Sequence, residues 1–284
     1  MKRPRLLFLC QTLPYPPDGG VQIRSYNVLR LLAREYDVTA LVFYRQATRP
    51  TVEQVRAGLE GVAAHARASV FPILQEHNRA RLLWDHLRST LTRRVYTYYA
   101  YESADFTSRL RDVLDRGAFD LVHVDSLDLS RYIPLLGELP VACTHHNIES
   151  DLLRRRADTE AGPMVRRYLR FQSRLMEAEE RRWCGRLALN VMVSAEDARR
   201  LQELVPQARV VTVPNGVDTK AFRPSGAGGE SGIVFVGGFG WYPNRDGMTY
   251  FAEKILPLIR ERRPDVEVTW VGRAADQVRD AYER

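Results

Sequence analysis

Between positions 37 and 44 the chain reads Val38, Thr39, Ala40, Leu41, Val42 and Phe43 in unbroken succession. A strand with one face in water alternates apolar and polar residues. A strand covered on both faces reads as a continuous apolar run, which is the mark of a parallel sheet packed between helices. Residues 5–10 form an earlier run of this kind. Between the two, Val21, Tyr26, Val28, Leu29, Leu31 and Leu32 recur at helical spacing over residues 21–35.

The alternation continues. A helix is predicted over 51–64 with Thr51 as its cap, and a strand over 68–73. Residues 76–116 read as mostly helical and rich in aromatics. Strands follow at 119–124, 140–144, 187–193 and 209–213, separated by helices at 127–136, 148–186 (broken near Gly162 and Pro163) and 195–204. Such a pattern predicts an α/β fold with a doubly wound parallel sheet and right-handed crossovers. Gly226, Gly228 and Gly229 then mark a boundary. Beyond it the pattern restarts with a strand at 233–236, a helix at 246–262, a strand at 266–271 and a short polar helix to Arg284. The organisation expected is a first domain over 1–213, a linker over 214–231 and the start of a second Rossmann-like domain over 232–284. Two strands are too few for a doubly wound domain, so the natural polypeptide is expected to continue.

Apolar runs of about five residues fall far short of the roughly twenty that cross a bilayer. Cys10, Cys143 and Cys184 make no CxxC pair, which argues against a disulfide scaffold or a structural zinc and points to a reducing cytoplasm. The net charge of +7 reads first as a solvated basic surface, and otherwise as favouring anionic partners: phosphates, or an anionic membrane touched peripherally at its inner face. No nucleic-acid signature occurs, and no nucleic-acid partner is expected. In the stretch 79–101, Leu82, Leu83, Leu87 and Leu91 are expected to pack inward, with Arg79, Arg81, Arg88, Arg93 and Arg94 outside. Such an amphipathic face also permits membrane contact.

Ligands of open parallel sheets collect beyond the carboxyl ends of the strands. Three segments lie there. The first loop ends in Asp18, Gly19 and Gly20 before a helix whose first amides could meet a phosphate, against the reading of a plain turn. It is not a GxGxxG fingerprint, which removes support for a dinucleotide enzyme. The second segment holds His145, His146, Asn147 and Glu149 after the strand at 140–144. Adjacent residues of a strand point to opposite faces, so one histidine is expected in the crevice, where it could share a proton with a hydroxyl, and the other in the structure. His123, Asp125 and Ser126 end a neighbouring strand and could line the crevice or cap the next helix. Ser194 reads as an N-cap that could also touch substrate. Metal spacing of the DxD or HExxH kind is missing, so no metal site is predicted. The third segment is Asn215-Gly216 at the domain junction, a turn signal with room for a crevice role. In the second unit, Gly238 follows a strand and Arg245 could pair with a phosphate or with a surface carboxylate.

The stretches LLFLCQTLPYPPDGGVQIRSYNVLRLLA, THHNIES, VTVPNGVDTKAFRP and IVFVGGFGWYPNRDG, in this order and spacing, resemble the retaining glycosyltransferases of the two-Rossmann-domain type, specifically family 4 members of polysaccharide assembly. The resemblance implies transfer of a sugar, with retention, from a nucleotide-sugar donor to a saccharide or lipid-linked acceptor hydroxyl. No bound cofactor and no obligatory metal are implied. It assigns Gly19 and Gly20 to donor phosphate and acceptor, His146 to the neighbourhood of the reacting sugar, and Asn215 and Gly216 to the junction signature. The family's glycine-arginine and lysine-glycine pairs fall here on Gly238 and Asp246, leaving Arg245 as the nearby basic residue. Its later acidic motif, two glutamates separated by seven residues, is expected beyond Arg284. The alternatives are a noncatalytic module that binds carbohydrate or a membrane surface, and a nucleotide-sugar-modifying α/β enzyme.

Overall fold

The computed structural model describes residues 3–45, 50–76, 78–220, 222–224, 232–238 and 242–272. The chain divides into two compact units, residues 1–216 and 217–284.

Seven strands build the sheet of the first unit: β1 (Arg5–Cys10), β2 (Asp37–Tyr44), β3 (Arg67–Pro72), β4 (Leu121–Asp125), β5 (Val141–His145), β6 (Leu189–Met192) and β7 (Val210–Thr212). Their order is β3-β2-β1-β4-β5-β6-β7, and every pairing is parallel. The chain winds outward from β1 to β3, then returns to β4 on the other side of β1. Between β1 and β4 the direction of winding reverses, and the carboxyl ends of these strands border the crevice that such a reversal opens.

Residues 6–10 of β1 have no exposed surface. Leu6, Phe8 and Cys10 pack with Leu29 of α1 (Gly20–Leu32) and Val62 of α2 (Val52–Ala63) on one face. Leu7 and Leu9 turn to the other face, against Phe106 and Leu110 of α5 (Ala104–Arg116) and Tyr132. Burial on both faces explains why β1 and β2 read as unbroken apolar runs. Local chemistry sets the helix starts: Thr51 and Gln54 form a reciprocal capping box on α2, and Ser194 accepts from the Asp197 amide at the head of α8 (Ala195–Leu204).

The helix expected over 127–136 is present and is of the 3-10 type. Pro134 lies inside it, where an α-helix would lose an amide and meet the carbonyl four residues back. One expectation of the first unit is corrected: α3 (Arg79–Thr92) is turned inside out relative to the predicted packing. Its buried residues are Asp85 and Ser89, while Leu83, Leu87 and Leu91 are 69%, 48% and 70% exposed and Leu82 is also exposed. Arg81 holds Asp85 at 3.0 Å, and Arg81 and Arg88 both reach Glu102. Ser89 accepts from Gln172 of α7 (Pro163–Trp183). The protein side of α3 is therefore a polar network. Between these elements lie the short α4 (Thr97–Ala100) and, after β5, α6 (Glu149–Thr159).

The second unit pairs β8 (Ile233–Val236) with β9 (Val268–Val271) in parallel. Its helical segment begins at Tyr242 as α9 (Tyr242–Tyr250), four residues before the predicted start, passes through a π-turn at Phe251–Ile255 and ends as α10 (Leu256–Arg262). Val234 and Val236 are 64% and 76% exposed, so one face of this small sheet is uncovered among the described residues. The polar helix expected up to Arg284 lies outside the described residues.

The loop that carries Gly19 and Gly20 is seated on α2. A Cβ on Gly61 would come within 2.3 Å of the Tyr15 ring, and one on Gly58 within 2.4 Å of Leu13. Tyr15 also packs on Tyr26 of α1, with ring centroids 5.3 Å apart. Gly61→Ala would gain about 1 kcal/mol of helix propensity. Overpacking of the Tyr15 seat should cost about 1–3 kcal/mol and outweigh that gain. The urea midpoint is expected to fall; a midpoint equal to or above that of the parent would show that Tyr15 is not tightly seated.

Candidate functional site

At the winding reversal, β1 and β4 end side by side with Cys10 opposite Asp125, and β5 lies next, with Thr144 opposite Asp125. The Asp125 side chain has no exposed surface. One of its oxygens accepts from Ser25 Oγ of α1 at 2.5 Å and is contacted by Cys10 Sγ at 3.3 Å. Burial pushes the Cys10 thiol well up, which keeps its proton available to donate. The other oxygen, Oδ1, faces His146 Nε2 at 3.3 Å. That contact is off the line of a hydrogen bond, and neither atom has a hydrogen-bond partner among the described residues. Buried polar atoms left in this state are uncommon and call for a reason. Burial works to raise the Asp125 pKa, but His146 and Ser25 outweigh it and hold the carboxyl below its ordinary value. The next residue, Ser126, has φ 109, a value that L side chains rarely adopt. Its hydroxyl caps the Asp128 amide, so the backbone turns sharply just where the carboxylate must point inward.

The two histidines separate. His145 is buried at the end of β5, its Nε2 3.0 Å from Asn190 Oδ1, and burial brings its pKa down to about 4. His146 stands on the Asp125 side with an 8% exposed side chain. His123, also brought down to about 4 by burial, stacks on Phe8 and contacts Thr144. Both low-pKa histidines are neutral parts of the sheet. Asn147 donates to Glu149 Oε1 at 3.3 Å, at the first turn of α6. Burial, followed by the charge of Asp128, pushes Glu149 up to about 8.

On the α1 side, Gly19 is the N-cap and supplies no side-chain cap, so the first amides of the helix are not met by a side chain there. Neither Gly19 nor Gly20 has a positive φ. A Cβ on Gly20 would meet nothing within 4 Å, so space rather than backbone freedom distinguishes this position. Arg24, one turn further on, donates to Asn215 Oδ1 at 2.9 Å and to the Val213 carbonyl at 2.8 Å. This guanidinium ties the segment after β7 to α1. Ser194 lies at the end of β6 and is occupied in capping α8. In the second unit the Gly238 carbonyl accepts from Asn244 at 3.1 Å. Arg245 is exposed on α9, with no ion pair among the described residues.

The structure thus brings Asp125 and His146 into contact near the head of α1 and joins Asn215 to that helix through Arg24. His145 and Ser194 are engaged elsewhere. Sequence reasoning missed Cys10, Arg24 and Ser25. Ser25 was findable: it lies four residues before Leu29, within the buried stripe of α1, and a hydroxyl in such a stripe needs a partner. No group of three or more metal-ligating residues is found among the described residues, and no described helix is long and apolar enough to cross a membrane.

A carboxyl with a raised folded pKa contributes stability below its unfolded pKa and loses it as pH rises through the folded value. For Glu149 that window runs from about 4.5 to about 8. Glu149→Gln should therefore flatten the melting temperature between pH 5 and 9 and make the variant the more stable form at the alkaline end. Parallel pH curves for parent and variant would show that Glu149 is not buried as described.

The model of Glycosyltransferase Family 4 matches residues 18–221. No curated protein gives a match. Among solved structures, the chain is similar to Arabidopsis thaliana UGT89C1 complexed with UDP-L-rhamnose, with 14% identity over 97% of this chain and 70% of that one and a TM-score of 0.44. It is also similar to the lipopolysaccharide outer core galactosyltransferase WaaB in its apo form, with 11% identity over 99% of this chain and 71% of that one and a TM-score of 0.45. At these TM-scores neither likeness carries residue roles across. The family match runs from the loop before α1, through Asp125 and His146, to the segment after β7, and on that ground the chain belongs to Glycosyltransferase Family 4.

Proposed function

We propose that this protein takes part in transferring a sugar, with retention at the anomeric carbon, from a nucleotide-sugar donor to the hydroxyl of a saccharide or lipid-linked acceptor. Residues 1–213 would form the acceptor-side domain, 214–231 the linker and 232–284 part of the donor-side domain. The observation that carries the reading is the His146–Asp125 contact at the winding reversal of the sheet, with two polar atoms that lack hydrogen-bond partners. A sugar hydroxyl can both donate and accept, so it can satisfy such a pair.

His146 takes the role of the group beside the reacting sugar, held by Asp125. Gly20 leaves space at the head of α1, with the Gln22 side chain lying over Gly19, and the amides there suit a phosphate or a sugar oxygen. Asn147 and Glu149 border the same turn; a Glu149 carboxyl protonated at neutral pH can donate to an acceptor oxygen. Asn215, fixed by Arg24, belongs to the junction side of the crevice. Gly238 and Arg245 are assigned to the diphosphate. Catalysis on this reading is placement of the donor and stabilisation of the departing diphosphate, achieved by donors fixed before the substrates arrive. No bound cofactor or metal is invoked.

His146→Ala should lower transfer from a sugar nucleotide by about 10²-fold or more in the folded protein, and it should also lower the melting temperature, because it removes a group that holds the buried Asp125 carboxylate ionised. Gly20→Val should weaken donor or acceptor binding, since its side chain would enter the space in front of α1. Transfer is measured with a panel of sugar nucleotides, and the anomeric configuration of the product is read by NMR. Equal turnover by the folded His146 variant would remove that residue from the reaction, and an inverted product would overturn retention.

A further inference from the structure

Helix α3 presents to solvent the side that amphipathic helices normally bury. Leu83, Trp84, Leu87 and Leu91 recur at helical spacing, and Trp84 is 52% exposed, so the four form one apolar stripe along the helix. The stripe does not arise from loose packing. The opposite side is anchored by Asp85 to Arg81, by Arg81 and Arg88 to Glu102, and by Ser89 to Gln172. Arg131 and Tyr99 extend this anchor: Arg131 pairs with Glu102 at 3.0 Å, and the Arg88 guanidinium lies 4.2 Å from the Tyr99 ring centroid. Rotating α3 to bury its leucines would strand those charges, at a cost above what the leucines would gain.

A further pair of exposed apolar residues lies on α7. His86 meets the Tyr168 hydroxyl of α7 at 2.5 Å, and Ser89 meets Gln172. These contacts join α3 to α7, whose first turn carries Met164 and Val165. Those residues are 86% and 48% exposed. On α3 itself the exposed charge has one sign, while Glu160 lies beside Val165 at the start of α7. The only acidic residue of α3 is the buried Asp85. Arg79 and Arg93 stand exposed at the two ends of the helix, and Arg167 follows Met164 on α7; none of the three has an ion pair among the described residues.

From this surface we propose that α3, with the first turn of α7, docks the protein on an anionic lipid bilayer. Leu83, Trp84, Leu87 and Leu91 would enter the acyl boundary, and Arg79, Arg93 and Arg167 would meet the headgroups. An interfacial helix needs an apolar face, arginines beside it and an aromatic ring at headgroup depth, and α3 has all three. A second copy of the chain fits less well. A two-fold contact centred on the stripe would set Arg79 of one copy against Arg93 of the other, and like charges facing each other in an interface are costly. The inference does not rest on the proposed transfer reaction.

The test is co-sedimentation of the full chain with vesicles of phosphatidylcholine alone and of phosphatidylcholine mixed with phosphatidylglycerol, at low and high salt. The parent should partition onto the anionic vesicles at least about tenfold more strongly than onto the neutral ones, and the preference should shrink with salt. Leu83→Ser combined with Leu87→Ser should lower the partition by about tenfold or more. Because these side chains face solvent, its thermal transition should match the parent's; if that transition is lost, Trp84→Ser replaces it in the comparison. Arg79→Ser with Arg93→Ser should reduce the anionic preference. Equal binding to both vesicles, binding to neither, or a folded leucine variant that partitions like the parent would overturn the proposal. So would a dimer in light scattering that the leucine variant dissolves, which would assign the stripe to a second copy.

Discussion

A carboxylate without exposed surface survives only where its neighbours replace the water it has lost. Asp125 is in that position, and its replacements come from three elements: Ser25 from α1, Cys10 from β1 and His146 from the turn after β5. A single charge therefore fixes the spacing of the first helix, the central strand and the histidine turn. These elements meet at the end of the sheet where ligands of such folds bind. Folding and site geometry are here the same requirement, because the groups that let Asp125 stay ionised also surround the crevice.

Two further attachments keep the crevice in shape. The loop before α1 rests on the glycine face of α2 through Leu13 and Tyr15, and Arg24 clamps the segment after β7 to α1. Neither attachment needs a ligand. A site that has to hold its ligands in register gains from such prior fixation, since the cost of ordering the protein has been met during folding. The polar network around Asp85 and Glu102 plays a parallel part for α3. Burial opposes the Glu102 charge, yet Arg88 and Arg131 hold its pKa down at about 2.

The parts legible in the sequence are those decided by nearby residues. β2 announced itself because a strand covered on both faces has no polar positions, and the caps Thr51 and Ser194 could be read because their partners lie three residues away. The alternation used to separate His145 from His146 ends at His145, the last residue of β5, and His146 diverges because it lies in the turn that follows. The orientation of α3 was not legible: a stripe at helical spacing says that two sides differ, not which side meets the protein. The deciding partners, Glu102 and Gln172, stand outside the helix in sequence. Arg24 and Ser25 were passed over because a polar pair early in a helix reads as its wet side, although the buried stripe runs through Ser25 to Leu29.

The dependence of His146 on Asp125 can be observed without a substrate. A carboxylate oxygen 3.3 Å from Nε2 favours a proton on that nitrogen over a lone pair facing it, which leaves Nδ1 as the acceptor of a neutral ring. Nitrogen-15 NMR of ring-labelled protein at neutral pH distinguishes the two nitrogens. The account predicts a protonated Nε2 for His146 in the parent and a shifted mixture of ring states in folded Asp125→Asn. Identical His146 nitrogen shifts in parent and variant would contradict it, for the carboxylate would then not be what holds the ring.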